Sequence, residues 1–319
     1  MSTPDITIVV CTYNRAAMLR TALASLYDLN TGGEFSYEIL VVDNNSSDDT
    51  PAFIERCQSE SRAPLRNVRE PRPGVAAARN RGVREARGKW IAFFDDDQVA
   101  DRDWLRQLRK GALELNSRFV GGAVHLLLPE GTHRDLDATC RMLLGESKWS
   151  TKPRRYDHRI NPGCGNMMVA RSVFEEVGLF DERIRRGEDT DLYRRATAAG
   201  IASWYLPDAI IHHITPEERL TDAYLLKLSY TMGDLLSVVD WEIRPPWWAA
   251  ALWFAKGCRL VLLHWPWLQL EKLRGRKEQI LGRRCQLSIS TGHFTRGWEQ
   301  FRRWLLPTIC RTELRQSSA

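Results

Sequence analysis

Three consecutive carboxylates, Asp95, Asp96 and Asp97, follow directly on the apolar run Trp90-Ile91-Ala92-Phe93-Phe94. An aromatic and β-branched run of that length reads as a buried strand, so the acids emerge together where it meets solvent. Crowded carboxylates repel one another unless a cation compensates them. As hard oxygen ligands they suit Mg2+ or Mn2+, whose remaining positions phosphate oxygens can fill. The competing reading is a helix start, in which Asp101 or Asp103 caps the helix implied by Trp104-Leu105-Arg106-Gln107-Leu108. The triplet by itself leaves both open. Other candidates stand at comparable junctions: Asp43 behind a second apolar run, Glu188 and Asp189 at the head of a helical segment, and His212-His213 behind a strand.

The elements that would position these residues alternate. Strands are expected at residues 6–11, 38–42 and 90–94, and helices at 15–27, 50–57 and 75–86. This is an α/β rhythm, and right-handed crossovers place its strands in one mainly parallel sheet with ligands at the carboxyl ends. Tyr13, Asp43 and Asp95 to Asp97 all fall just past such ends. A helix at 104–115 and a strand at 119–128 follow, then an irregular stretch from 130 to 162. Gly163-Cys164-Gly165-Asn166 precedes the apolar Met167-Met168-Val169, with helices at 171–177 and 192–199 and strands at 202–206 and 209–211 behind it. This organisation predicts a catalytic domain over residues 1–220 and a helical extension over 221–319.

Hydrophobic residues make up 43% of the 319-residue chain and charged residues 27%, which excludes a mainly disordered protein. Seven cysteines show neither a C-x-x-C pair nor zinc-ligand spacing, so a disulfide framework and a structural zinc are not indicated. With no basic-then-apolar leader at its start, the chain is expected in the reducing cytoplasm. The net charge of +6 is concentrated in residues 271–319, where eleven Lys and Arg face four Asp and Glu. Eight of the twelve tryptophans lie beyond Thr231, interleaved with leucines. That pattern points to peripheral contact with an anionic membrane at its inner face rather than to nucleic acid. The run from 247 to 270 carries Lys256, Arg259, His264 and Pro266, so in-plane attachment is expected rather than a span. The alternative is a helical pair whose tryptophans form a core.

Four motifs occur in order: Val10-Cys11-Thr12-Tyr13-Asn14-Arg15, Val41-Val42-Asp43-Asn44-Asn45-Ser46, Ala78-Arg79-Asn80-Arg81-Gly82 leading to Asp95-Asp96-Asp97, and Gly187-Glu188-Asp189-Thr190-Asp191-Leu192. Together they resemble a family 2 glycosyltransferase over about residues 5–220. The resemblance implies an inverting enzyme of GT-A fold that uses a nucleotide-diphosphate sugar, most often UDP-linked, with Mn2+ or Mg2+ and a saccharide or lipid-linked acceptor. It implies nucleotide binding by Cys11, Tyr13, Asp43, Arg79, Asp95 and Asp96. Asp97 and His212 would be metal ligands, with His213 as the alternative to His212 because adjacent strand residues face opposite ways. Gly165, Asn166 and Glu188 would meet the sugar or acceptor, and Asp189 would be the catalytic base. Gln98 departs from the family pattern, which often has a further acid there. A sugar nucleotidyltransferase and a non-catalytic nucleotide-sugar-binding protein are the alternatives. Against the former, no glycine-rich phosphate loop bearing Arg or Lys stands near the N-terminus.

Overall fold

The computed structural model describes residues 3–60, 63–132, 136–157, 160–184 and 186–316. Residues 133–135 and 158–159 of the expected irregular stretch lie outside these. The chain forms two compact units, one of residues 1–127 with 146–214 and one of 128–145 with 215–319. The boundary thus falls at Thr215 rather than after residue 220, and residues 128–145, expected in the catalytic domain, belong to the second unit.

The first unit is built on a nine-stranded sheet. Its first half is the expected alternation with one strand, β3, that was not expected: β1 (Ile6–Thr12), α1 (Ala16–Tyr27), β2 (Tyr37–Asp43), α2 (Thr50–Glu60), β3 (Leu65–Arg69), α3 (Val75–Glu85) and β4 (Trp90–Asp95). β3, β2, β1 and β4 lie side by side and parallel. β1, β2 and β4 are nearly continuous apolar runs because both their faces are covered. Alternate residues feed two cores: Val9, Leu40, Val42 and Phe93 on one face, and Ile8, Val10, Ile39, Val41 and Phe94 on the other. α1 buries Leu19, Ala22, Leu23 and Leu26, a single stripe at helical spacing. α3 approaches β1 through Gly82, where an added Cβ would stand 2.4 Å from Val9 Cγ1.

The second half of the sheet contains what periodicity did not show. After β5 (Gln98–Ala100), α4 (Trp104–Glu114) and β6 (Phe119–Leu127) come β7 (Arg154–Arg155), β8 (Asn166–Ala170), α6 (Arg171–Val177), α7 (Glu188–Ala198) and β9 (Ser203–Ile214). β8 forms on the apolar Met167-Met168-Val169 and enters antiparallel between β4 and β6. The strands expected at 202–206 and 209–211 are one strand, β9, which runs parallel to β6 with a register shift beside Gly122 and Ala123. That irregularity accommodates Pro207, which has no N–H to donate. β9 then continues through His212 and His213 to pair with β5.

The second unit contains α5 (Ala138–Leu143), α8 (Asp222–Ile243), α9 (Pro246–Arg259), a π-helical turn (Leu260–His264), α10 (Trp265–Arg274) and α11 (Lys277–Gln316). α8 and α11 cross closely at two glycines. A Cβ on Gly233 would lie 1.9 Å from Ile289 O, and one on Gly292 would lie 2.2 Å from Tyr230 O. The tryptophans divide between the two expectations. Trp253 is buried and stacks on Phe294, Trp298 and Phe301, whereas Trp247, Trp248, Trp265 and Trp267 are exposed. Among the described residues no helix is long and apolar enough to cross a membrane.

Candidate active site

Past the carboxyl ends of β1, β2 and β4 lies a cavity of about 670 Å³. Two asparagines in left-handed backbone, Asn14 (φ 52°) and Asn45 (φ 67°), turn the loops that form one side. Asparagine tolerates that region better than most residues. The loops are tied together: Asn14 N donates to Ser46 Oγ at 2.9 Å, and Ser47 N donates to Asn14 Oδ1 at 2.8 Å. Asn44 pins the next loop, with Nδ2 donating to Glu70 O at 3.0 Å and to Arg72 O at 2.6 Å, and Oδ1 accepting from Gly74 N at 3.0 Å. Asp43 is buried behind this wall, and its Oδ1 accepts from Ser46 N at 3.0 Å. Asn44, Asn45, Cys11 and the exposed Tyr13 line the cavity, and Asp43 does not.

The acidic triplet is held by two arginines. Asp96 accepts from Thr12 Oγ1 at 2.7 Å and from Arg15 Nη1 at 2.9 Å, and the same nitrogen lies 3.2 Å from Asp97 Oδ2. Arg79, 7% exposed on α3, reaches Asp95 at 3.4 Å with one arm and Glu188 with the other. The Asp95 side chain is still 40% exposed, but the protein atoms crowded around its carboxyl raise it above its ordinary value, against the pull of Arg79. Burial raises Asp96 likewise, against Thr12 and Arg15. Burial also works against the Arg79 charge, but the carboxyl groups of Asp95 and Glu188 beside it outweigh that and hold the guanidinium protonated. The Cys11 thiol is pushed by burial to about 12, so it meets the cavity as a neutral group.

The structure corrects three of the expected roles. His213, not His212, faces the triplet: its Nε2 lies 3.5 Å from Asp97 Oδ2. His212 points to the other side of β9 and meets the His125 ring edge-on at 5.6 Å. Pairing of β9 with β5, and the 2.8 Å bond from Ile214 N to Asp97 O, set this register. Asn166, expected at the sugar or acceptor, is buried. Its Nδ2 donates to Ala123 O and Ala209 O at 2.8 and 2.9 Å, and its Oδ1 accepts from Trp104 Nε1 at 2.8 Å, so its polar atoms are spent inside the core. Glu188, 5% exposed, is committed to Arg79 rather than facing an acceptor.

Gly165 serves close packing beside the triplet, since a Cβ there would stand 2.4 Å from Asp95 Oδ2 and 2.3 Å from Gln98 Nε2. Gln98 earns its departure from the family pattern, because its Oε1 accepts from Asp95 N at 3.1 Å. Asp189 is half-buried at the head of α7. Its Oδ2 accepts from Cys164 N at 3.2 Å and its Oδ1 from Thr190 N at 2.7 Å. Sequence reasoning assigned no role to Thr12 or Arg15, although both stand inside the first motif. Nothing in the spacing shows that they reach Asp96.

Among the described residues no group of three or more His, Cys, Asp or Glu side chains converges as a metal cage. Asp97 with His213 is a two-residue set, and a hard divalent cation bound by one carboxylate and one imidazole would need its other positions filled by phosphate oxygens and water. The residues present fit an ion shared with a phosphate ligand.

Acids and arginines gathered at the carboxyl ends of parallel strands, with an antiparallel strand entering the sheet, define an α/β domain with a charged site at its strand ends. In fold it is similar to GalNAc-T7, solved with UDP, GalNAc and Mn2+, with a TM-score of 0.55 at 17% identity over 68% of this chain and 44% of that one. This is the GT-A fold. Residues 7–178 match the model of glycosyl transferase family 2. The chain is 30% identical over 254 residues to the succinoglycan biosynthesis protein ExoM of Rhizobium meliloti, covering 77% of this chain and 79% of that protein. It is 27% identical over 212 residues to glycosyltransferase AglE of Haloferax volcanii, covering 66% and 67%. The protein belongs to glycosyltransferase family 2 and is a glycosyltransferase. That class sets aside the nucleotidyltransferase alternative.

Proposed function

We propose that the protein transfers a sugar, with inversion, from a nucleotide-diphosphate donor to a hydroxyl of a saccharide or lipid-linked acceptor. The observation that carries this reading is the cluster of Asp95, Asp96 and Asp97 with Arg15 and Arg79 around one cavity at the strand ends. Arg15 and Arg79 are placed to take up the charge that gathers on a diphosphate as the glycosidic bond breaks. Asp97 and His213 would hold Mn2+ or Mg2+, which supplies further charge neutralisation at those oxygens. Cys164 N–H and Thr190 N–H orient the Asp189 carboxylate, which takes the proton of the acceptor hydroxyl. The acceptor oxygen forms its bond to the anomeric carbon from the face opposite the departing diphosphate, so the configuration inverts. Glu188 acts by positioning Arg79.

UDP is the proposed nucleotide, on its frequency in the family. Likeness to ExoM supports an acceptor in polysaccharide synthesis. The exposed Trp247, Trp248, Trp265 and Trp267 support peripheral contact with an anionic membrane at its cytoplasmic face. The test measures donor hydrolysis and sugar transfer across UDP- and GDP-sugars with Mn2+ or Mg2+. Asp189→Asn is expected to lose turnover while still binding the nucleotide, and Asp97→Asn to lose metal-dependent turnover. Wild-type rates in both would overturn the assignment.

A further inference from the structure

A second cavity, of about 320 Å³, lies within the helical unit and is walled by Lys256, Arg259, His264, Arg283, His293 and Trp267 among others. Its size is at the low end for small-ligand pockets, which run from roughly 300 to 1,000 Å³. The wall contains three permanent cations and two imidazoles, and no carboxylate. One acid, Asp240, stands behind it and accepts from Lys256 Nζ at 2.6 Å, with His293 Nε2 at 3.0 Å. Arg259 and Arg283 have no carboxylate partner among the described residues. Arg283 is instead held over the Trp267 ring at 4.1 Å, with Nη1 donating to Gln286 Oε1 at 2.8 Å. Burial, with Arg259 and Arg283 adding to it, pushes the His264 imidazole below its ordinary value, as an uncancelled positive field does. His293 is 2% exposed, and its Nδ1 has no hydrogen-bond partner, nor has the Nδ1 of His264. Three cations with the single carboxylate of Asp240 behind them leave a surplus of positive charge at this cavity, which an anionic ligand would neutralise.

The rim gives the class of ligand. The π-helical turn places His264 in the wall while Val261, Leu262 and Leu263 stay exposed, Leu262 at 69%. Trp265 continues this apolar strip, and Trp267, 51% exposed, joins it to the cavity. π-helical turns recur at functional sites because they break the regular spacing of side chains. A free anion has no use for such a rim, whereas an amphiphile has. We propose that this cavity binds the phosphate headgroup of a membrane lipid, whose chains lie along the exposed side chains of residues 261–265. The proposal rests on the interfacial reading of the tryptophans and narrows it to one site.

The test is flotation of the full-length protein with vesicles of phosphatidylcholine alone or mixed with phosphatidylglycerol. Calorimetry with inorganic diphosphate is the soluble arm. Arg259→Gln/Arg283→Gln is compared with Arg274→Gln/Arg276→Gln, which removes equal charge outside the cavity wall, and with Leu262→Asn/Leu263→Asn on the rim. Circular dichroism and donor hydrolysis are expected to be unchanged in all three. The wild type is expected to prefer the anionic vesicles, and the cavity pair to lose about tenfold or more of that binding, against a smaller loss in the control pair. Equal losses in the two arginine pairs would overturn the headgroup site, as would binding of diphosphate without binding of vesicles. Loss of vesicle binding only in the leucine pair leaves the interfacial reading standing and refutes the site. A wild type that binds neither vesicle refutes both.

Discussion

Replacing Arg79 by Met removes the cation between two acids while keeping much of the side chain's bulk. Asp95 is 40% exposed in its side chain and can turn to water, but the Glu188 side chain is 7% exposed and cannot. Burial already raises the Glu188 carboxyl and Arg79 is the main influence opposing it, so the variant drives that group further up. Buried glutamates without a partner reach values of about 8 to 9, so in the folded variant Glu188 is expected to be protonated at pH 7. Keeping it neutral there, against an ordinary value of about 4.3, costs about 3.7 kcal/mol at 1.36 kcal/mol per pH unit, and at pH 5 only about 1 kcal/mol. The sign follows from proton counting: the folded state holds a proton that the unfolded state releases, so stability falls as pH rises above the unfolded value. Urea unfolding followed by circular dichroism at pH 5 and pH 7 measures the difference. Because the wild-type Glu188 carboxyl is itself raised, that figure is a ceiling: Arg79→Met is expected to be destabilised by less than about 4 kcal/mol at pH 7 and by clearly less again at pH 5. Adding Glu188→Gln removes the pH-dependent part and leaves the smaller cost of an imperfectly paired amide, about 1 to 2 kcal/mol. An equal loss at both pH values, or no relief from Glu188→Gln, would refute the account of Arg79 as the counter-charge of a buried acid.

The two histidines separate cleanly. His213→Ala is expected to raise the Mn2+ concentration needed for half-maximal donor hydrolysis by about tenfold or more, and His212→Ala to leave it unchanged; the reverse order would return the ligand role to His212. Gly165→Ala forces a Cβ within 2.4 Å of both Asp95 Oδ2 and Gln98 Nε2. Both are the ends of flexible side chains, so it is expected to displace them with little loss in thermal or urea unfolding but to lower turnover, and an unchanged rate would show that the reaction tolerates displacement of Asp95. In the helical unit, burial alone would raise the Asp240 carboxyl, but His293, Lys256 and Arg244 hold it far below the usual range. Its folded value lies below its unfolded one, so its contribution is complete above about pH 4 and is lost as pH falls. Asp240→Asn is expected to be less stable by about 1 to 3 kcal/mol at pH 7, and a thermal-melt difference that persists undiminished at pH 2 to 3 would contradict this.

The α/β class, three of the first four strands and the helical character of the tail were legible because each depends on local pattern. Buried parallel strands must be apolar along their length, and α1 must show its stripe at helical spacing. β3 carries Arg66, Asn67 and Arg69 on an edge and β5 has three residues, so neither has enough apolar pattern to announce itself. The antiparallel entry of β8 is a matter of pairing partners and leaves no mark on periodicity.

The residues alone determined the family, the acidic triplet and the Glu188-Asp189 pair, because those carboxylates follow elements whose ends can be read in one dimension. Only the tertiary structure decided what each group faces. The continuous β9 chose His213 over His212, since one step along a strand reverses the side chain. Sheet packing consumed Asn166, a salt bridge to α3 consumed Glu188, and the first loop delivered Arg15 to the acids from 81 positions away. Hydrogen bonds and ion pairs between distant segments are satisfied by the fold as a whole, so no window of sequence contains them.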